Sequence, residues 1–272
     1  MSIPAPWRLR WHAKRRAARA TRLPNTIVLW AGPSALDGTL ILLVASRVNA
    51  PSENSKTGDM LQVWICRADM DPATAWAAGL DGSVCPDACV HRSKGRGGRG
   101  TCYVNKARLS AAHRAAVREY LAGRIGWIPG SFAGCRMRAG MEGDPSAVPL
   151  DVWRSLLSEA AGHTGYTAAW RTLPREWSAL FMASVSSPAD YIRARSLGWR
   201  PFAASDRASD DSAYVAAGAT LCEATRDDRP LTCVACVACN GAARNADRPG
   251  RYLAQHGAIG EKIRRYNDGS AA

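Results

Sequence analysis

Histidine and phenylalanine are scarce in this chain, five and three respectively among 272 residues. His12, His91, His113, His163 and His256 stand singly, with no H-x-H or H-E-x-x-H pair. Zinc-protease chemistry and the metal-dependent nicking chemistry of rolling-circle initiators therefore lack their ligands. No G-x-S-x-G elbow is present. Asn54-Ser55-Lys56-Thr57-Gly58 offers a lysine, hydroxyls and a glycine without the G-x-x-x-x-G-K-[ST] order of a nucleotide-binding loop, and it reads as a surface turn. No apolar run approaches the roughly 18 residues of a membrane-spanning helix. Residues 1–22 hold seven Arg or Lys, no acid and no apolar core of the kind an export signal needs. The expectation is a cytoplasmic protein with no membrane partner.

Acidic residues are also in short supply, 23 against 36 Lys and Arg, for a net charge of +13. Such a balance favours a polyanionic partner, nucleic acid being the commonest, although a solvated arginine-rich surface gives the same count. Two basic stretches are candidates for phosphate contact. The first is an arm over residues 1–22, where Arg8, Arg10, Lys14, Arg15 and Arg16 alternate with Trp7 and Trp11. Its indoles can stack on bases, or the arm is a plain solvated terminus. The second is Arg92, Lys94, Arg96 and Arg99 among glycines, a composition suited to a mobile or phosphate-contacting loop.

Cysteine, by contrast, is plentiful and grouped. Cys222, Cys233, Cys236 and Cys239 form a C-x10-C-x2-C-x2-C array whose two-residue gaps let successive thiolates turn onto one centre, an iron–sulfur cluster or a zinc. Neighbouring C-x2-C pairs are poorly placed for disulfides, the alternative reading. Upstream, Cys85 and Cys89 are followed after a basic glycine-rich loop by Cys102 and Tyr103. Three thiolates leave one iron of a cubane open to a ligand, whereas a fourth from Cys66 or His91 makes a closed site such as a zinc knuckle. Cys135 stands alone and reads as a small buried apolar residue.

Hydrophobic patterning supplies the frame. Residues 26–31 and 39–48 read as a hairpin joined through Gly32-Pro33-Ser34 and Asp37-Gly38, and 60–66 as a third strand. Helical spacing follows over 109–121, a strand over 135–139, the turn Glu142-Gly143-Asp144-Pro145 and a helix over 150–161. The beat continues with strands at 166–171, 180–185 and 199–204 and a helix at 187–197, capped by Ser187 and opened by Pro188. Strand, glycine-acid turn and helix in repetition predict a parallel α/β sheet with its ligand site at the C-terminal strand edge. Trp170 and Trp199 read as core, and His113 as a surface residue.

Cys85, Cys89 and Cys102, followed by Tyr103, a strand and then Gly143-Asp144-Pro145, resemble the order found in radical S-adenosylmethionine (SAM) enzymes. More closely, the stretches NSKTG, CPDAC…GTCYVN, GDP, MASV…GW and C…CxxCxxC are similar to an uncharacterised family of plasmid- and phage-encoded proteins, from about residue 23 to 256. The resemblance implies an open, partial parallel βα barrel with an N-terminal β-hairpin and a C-terminal cysteine-cluster segment. It divides the chain into a basic arm (1–22), a partial-barrel domain (23–218) and a four-cysteine segment (219–272). It further implies two 4Fe–4S clusters, an electron donor, and SAM with its amino group near Gly143, Asp144 and Pro145. The sequence departs from that pattern in its C-x3-C-x12-C spacing and in Asp144, where those enzymes carry glutamate.

Overall fold

The computed structural model describes residues 24–49, 54–204, 211–225, 231–242 and 248–253. The basic arm, with Arg8, Arg10, Lys14, Arg15 and Arg16, lies outside the described residues. At the centre is an open nine-stranded sheet in the order β1-β2-β3-β4-β5-β6-β7-β9-β8. Strands β1 (Thr26–Pro33), β2 (Leu40–Ser46) and β3 (Leu61–Arg67) are antiparallel neighbours, so the expected hairpin and third strand are present. From β3 onward every pairing is parallel, through β4 (Arg136–Ala139), β5 (Gly162–Thr167), β6 (Met182–Val185) and β7 (Pro201–Ala204). β9 (Arg251–Leu253) pairs with both β7 and β8 (Thr220–Leu221), so the two strands beyond residue 219 belong to the same sheet.

Parallel neighbours require crossovers, and helices supply most of them. α1 (Pro72–Ala77) and α2 (Ser110–Leu121) lie between β3 and β4, and α3 (Leu150–Ser158) between β4 and β5. α4 (Pro188–Ser196), α5 (Asp211–Ala216) and α6 (Cys233–Cys236) follow β6, β7 and β8. Ser187 caps α4 by accepting the Asp190 N–H at 3.1 Å, with Pro188 in the first turn.

Alternation along the strands separates two buried faces. Leu43, Val63, Met137, Ala139, Ala183 and Ala203 pack with Trp153 and Leu156 of α3, Tyr191 of α4 and Tyr214 of α5 in the main core. Their neighbours Val44, Trp64 and Cys66 point the other way, under Ala116 of α2. Because β2 and β3 are covered on both sides, their sequences are mostly apolar rather than alternating. Further across, this second face carries Arg136, Arg138, Tyr166, Phe202 and Arg251, as the pairing of Gln62 with Arg138 and of Phe202 with Arg251 requires.

Three expectations need correction. The strand placed at 166–171 begins earlier, at Gly162. Gly162 and Gly165 weaken its local β signal, and pairing with β4 plus the bond from Gly165 N–H to the Cys239 carbonyl (3.0 Å) hold it. His113 is buried, and its Nε2 stands 2.9 Å from the Arg67 carbonyl. The Asn54–Gly58 turn is a docking platform rather than a free surface turn, as described below. Trp170, Trp199 and Cys135 are core residues.

Candidate metal centres

The first cysteine group sits at the C-terminal edge of β3 and β4. Its loop is built on Asp81, 2% exposed, whose carboxylate accepts the Ser93 hydroxyl (2.7 Å) and N–H (3.2 Å) and whose carbonyl accepts the Cys85 N–H (2.8 Å). Arg92 donates to the carbonyls of Cys89 (3.0 Å), Arg96 (2.9 Å) and Asp87. Arg96 donates to the Cys85 carbonyl (3.0 Å) and pairs with the Asp87 carboxylate. Arg92 and Arg96, two of the loop residues expected on phosphate, thus brace the cysteine loop. Lys94 is exposed, and Arg99 joins the loop through its N–H to the Val90 carbonyl (2.8 Å).

Cys85, Cys89 and Cys102 lie within electrostatic reach of one another, of Lys106 and, for Cys85 and Cys102, of Glu142. Burial pushes all three thiols up, Cys89 to about 12. Backbone N–H groups oppose this: that of His91 donates to the Cys89 sulfur and that of Val104 to the Cys102 sulfur. The His91 ring itself is bonded to Thr101 Oγ1 (Nδ1 at 2.8 Å) and lies edge-on to Tyr103. Cys66 packs under α2 with Trp64 and Leu109, its thiol raised by burial and by the charge of Glu142.

The Glu142–Pro145 turn clamps this loop to the sheet. Ile65 N–H donates to the Glu142 carbonyl (2.9 Å) and Asp144 N–H to the carbonyl of Val84 (2.7 Å), next to Cys85. Gly143 has φ +78°, and a Cβ there would lie 2.8 Å from Cβ of Ile65, so only glycine fits. Asp144 is buried with both oxygens engaged: Oδ1 accepts the Ser146 N–H (2.9 Å) and the Thr167 hydroxyl (2.7 Å), and Oδ2 the Ala168 N–H (2.6 Å). Its carboxylate ties the end of β4 to the end of β5. Pro145 is buried, and its carbonyl accepts the Trp153 indole N–H at 3.0 Å.

Two residues at this site carry no sequence motif. Lys106 and Glu142 form a buried ion pair, with Nζ 2.6 and 2.8 Å from the carboxylate oxygens. The ammonium also reaches the Cys102 sulfur at 3.4 Å and sits 4.5 Å from the Trp76 ring centroid. The two are 36 residues apart, so no spacing rule links them. The only available signal is an acid heading the Glu-Gly-Asp-Pro turn.

The second group occupies the second face of the sheet near the start of β3. Cys233 N–H and Val234 N–H donate to the carbonyls of Lys56 (2.8 Å) and Thr57 (3.1 Å), so the NSKTG turn receives α6 directly. Arg136 donates to the carbonyls of Val234 and Ala235, and Arg200 to those of Ala238 (2.9 Å) and Gly241 (2.7 Å). Cys222, Cys233, Cys236 and Cys239 are mutually coupled electrostatically. Burial pushes the thiols of Cys233 to about 11 and Cys239 to about 12. Against that act the Ala224 N–H on the Cys222 sulfur, the Tyr166 hydroxyl on Cys239, and the charges of Arg251 near Cys222 and Arg138 near Cys233.

All nine cysteines carry free thiols, and among the described residues no three Cys, His, Asp or Glu side chains converge as a metal-holding group. The donor set nevertheless fits thiolate ligation. Lys106 Nζ stands 3.4 Å from the Cys102 sulfur, a donor to sulfur of the kind that orients and tunes a metal-bound thiolate. A bound metal also takes the place of the thiol proton that burial otherwise retains. Comparison with protein-family models, curated proteins and solved structures finds no match.

Proposed function

We propose that the chain is a two-centre iron–sulfur protein of a plasmid or phage, radical SAM-like in its first centre. Cys85, Cys89 and Cys102 would hold an open cluster at the C-terminal strand edge, and Cys222, Cys233, Cys236 and Cys239 a closed auxiliary one. What supports this reading is the grouping of seven cysteines as a three and a four, the Cys85 loop tied through the Glu142–Asp144 turn to the C-terminal end of β3 and Cys233 docked on the turn that precedes β3. The seven residues of β3 separate the two ends by about 20 Å. When bound, an open cluster supplies the electron that cleaves the SAM sulfonium bond and starts hydrogen abstraction from a substrate. The protein's own residues fix the cysteine loop through Asp81, Arg92 and Arg96. The net charge of +13 supports a nucleic-acid substrate, and turnover calls for an external electron donor.

Anaerobic reconstitution followed by iron, acid-labile sulfide and zinc analysis tests the proposal. The expected protein is brown and holds two clusters, and SAM added after reduction perturbs the paramagnetic resonance of one of them. Colourless protein with zinc and no sulfide overturns it and favours the alternative, a non-catalytic, zinc-stabilised DNA- or RNA-binding protein. Two clusters indifferent to SAM leave an iron–sulfur protein without radical chemistry.

A further inference from the structure

Lys106 and Glu142 form the ion pair whose two side chains are the most buried among the described residues, 7% and 3% exposed. Stability does not explain such a pair, because apolar residues of similar volume commonly serve a core as well or better. Its position does suggest a role. Lys106 opens the turn Lys106–Leu109 that leads into α2, four residues after Cys102, and Glu142 is pinned to β3 by the bond from Ile65 N–H to its carbonyl. An ammonium has three N–H bonds to give. Here it contacts both Glu142 oxygens and the Cys102 sulfur, over the face of Trp76.

Resting on the iron–sulfur reading above, we infer that Lys106 is the counter-charge of the three-cysteine centre and that the Lys106–Glu142 pair sets its reduction potential. A fixed cation touching a ligand sulfur favours the added electron, and the carboxylate behind it opposes that effect. Both are positioning residues that act through the cysteines. The fold holds them in place before any electron arrives, which is the condition for tuning without reorganisation.

The test uses the full chain, reconstituted anaerobically and titrated with dithionite while each cluster is followed by paramagnetic resonance. Lys106→Gln should shift the midpoint potential of one cluster downward, Glu142→Gln should shift it upward, and the double variant should fall between them. Lys106→Arg, which keeps the charge, should stay near the wild type. The four-cysteine cluster should not move in any variant. If Lys106→Gln fails to load, Glu142→Gln carries the test, since no upward shift there overturns the inference. Midpoints that ignore the substitutions, or single variants that shift in the same direction as a loosened fold would make them, overturn it while leaving the iron–sulfur reading intact. A wild-type chain that takes up no iron overturns both.

Discussion

Val234 closes on Gly58 so tightly that a Cβ at Gly58 would lie 2.6 Å from Val234 Cγ1, and Gly58 has φ +62°. The NSKTG turn and α6 are therefore one interlocked unit. Gly58→Val combines a left-handed backbone, costing about 1–2 kcal/mol for an L-residue, with direct overlap on Val234. The expected result is faster proteolysis within residues 222–239 and loss of metal from the four-cysteine centre alone. Metal analysis beside limited proteolysis checks this, and unchanged digestion would show that the turn yields without releasing α6.

The two cysteine groups should be separable by single substitutions. Cys89→Ser should reduce iron and sulfide to roughly what one cluster contributes and leave the four-cysteine centre loaded. Cys236→Ser should lose the other share and lower solubility, because α6 is held between the NSKTG turn and Arg136. Iron-to-protein ratios after anaerobic purification decide it, and a variant that empties both sites would contradict their independence.

Asp144 provides a test between support and ligand contact. Its carboxylate is engaged by Ser146, Thr167 and Ala168, so Asp144→Ala leaves buried donors without an acceptor. A destabilisation of about 2–4 kcal/mol is expected, read as a lower denaturant midpoint. Thr167→Val should have a smaller effect by removing one donor. Full stability in Asp144→Ala together with an absent SAM response would instead make the residue a SAM contact.

Removing residues 1–22 takes away seven positive charges. If they neutralise phosphates, the slope of log affinity against log salt on duplex DNA should become shallower by about 0.9 for each phosphate that is no longer neutralised. Lys94→Ala should produce a smaller change of the same kind. Arg96→Ala should act differently, disturbing metal content at the first centre, because that guanidinium holds the Cys85 carbonyl. Filter binding across a salt series measures the slopes, and an unchanged slope would make the arm a solvated terminus.

The hairpin, the parallel α/β class and the helix starting after Ser187 are legible locally. β2 and β3 announce themselves as apolar runs between turns, and Ser187-Pro188 is a cap and first turn whose chemistry needs no partner. The spacing of the cysteines is legible too, since two- and three-residue gaps keep successive thiols near one another in any local conformation. The start of β5 is not, because Gly162 and Gly165 carry little strand preference, and their conformation comes from β4 and Cys239.

Everything that depends on residues far apart in the chain is settled by the tertiary structure. Composition shows Arg92 and Arg96 only as basic residues among glycines, and the fold adds that both guanidinium groups donate to carbonyls of the cysteine loop. NSKTG looks like a free turn until α6 docks on it from about 180 residues away. Lys106 and Glu142 are invisible as a pair, because their attraction exists only once β3 and β4 bring the Cys102 loop and the Gly143 turn together in a medium that water no longer screens. The sequence by itself determined the parallel α/β class of the sheet and where the cysteines cluster along the chain. Only the fold decided which charges stand beside them.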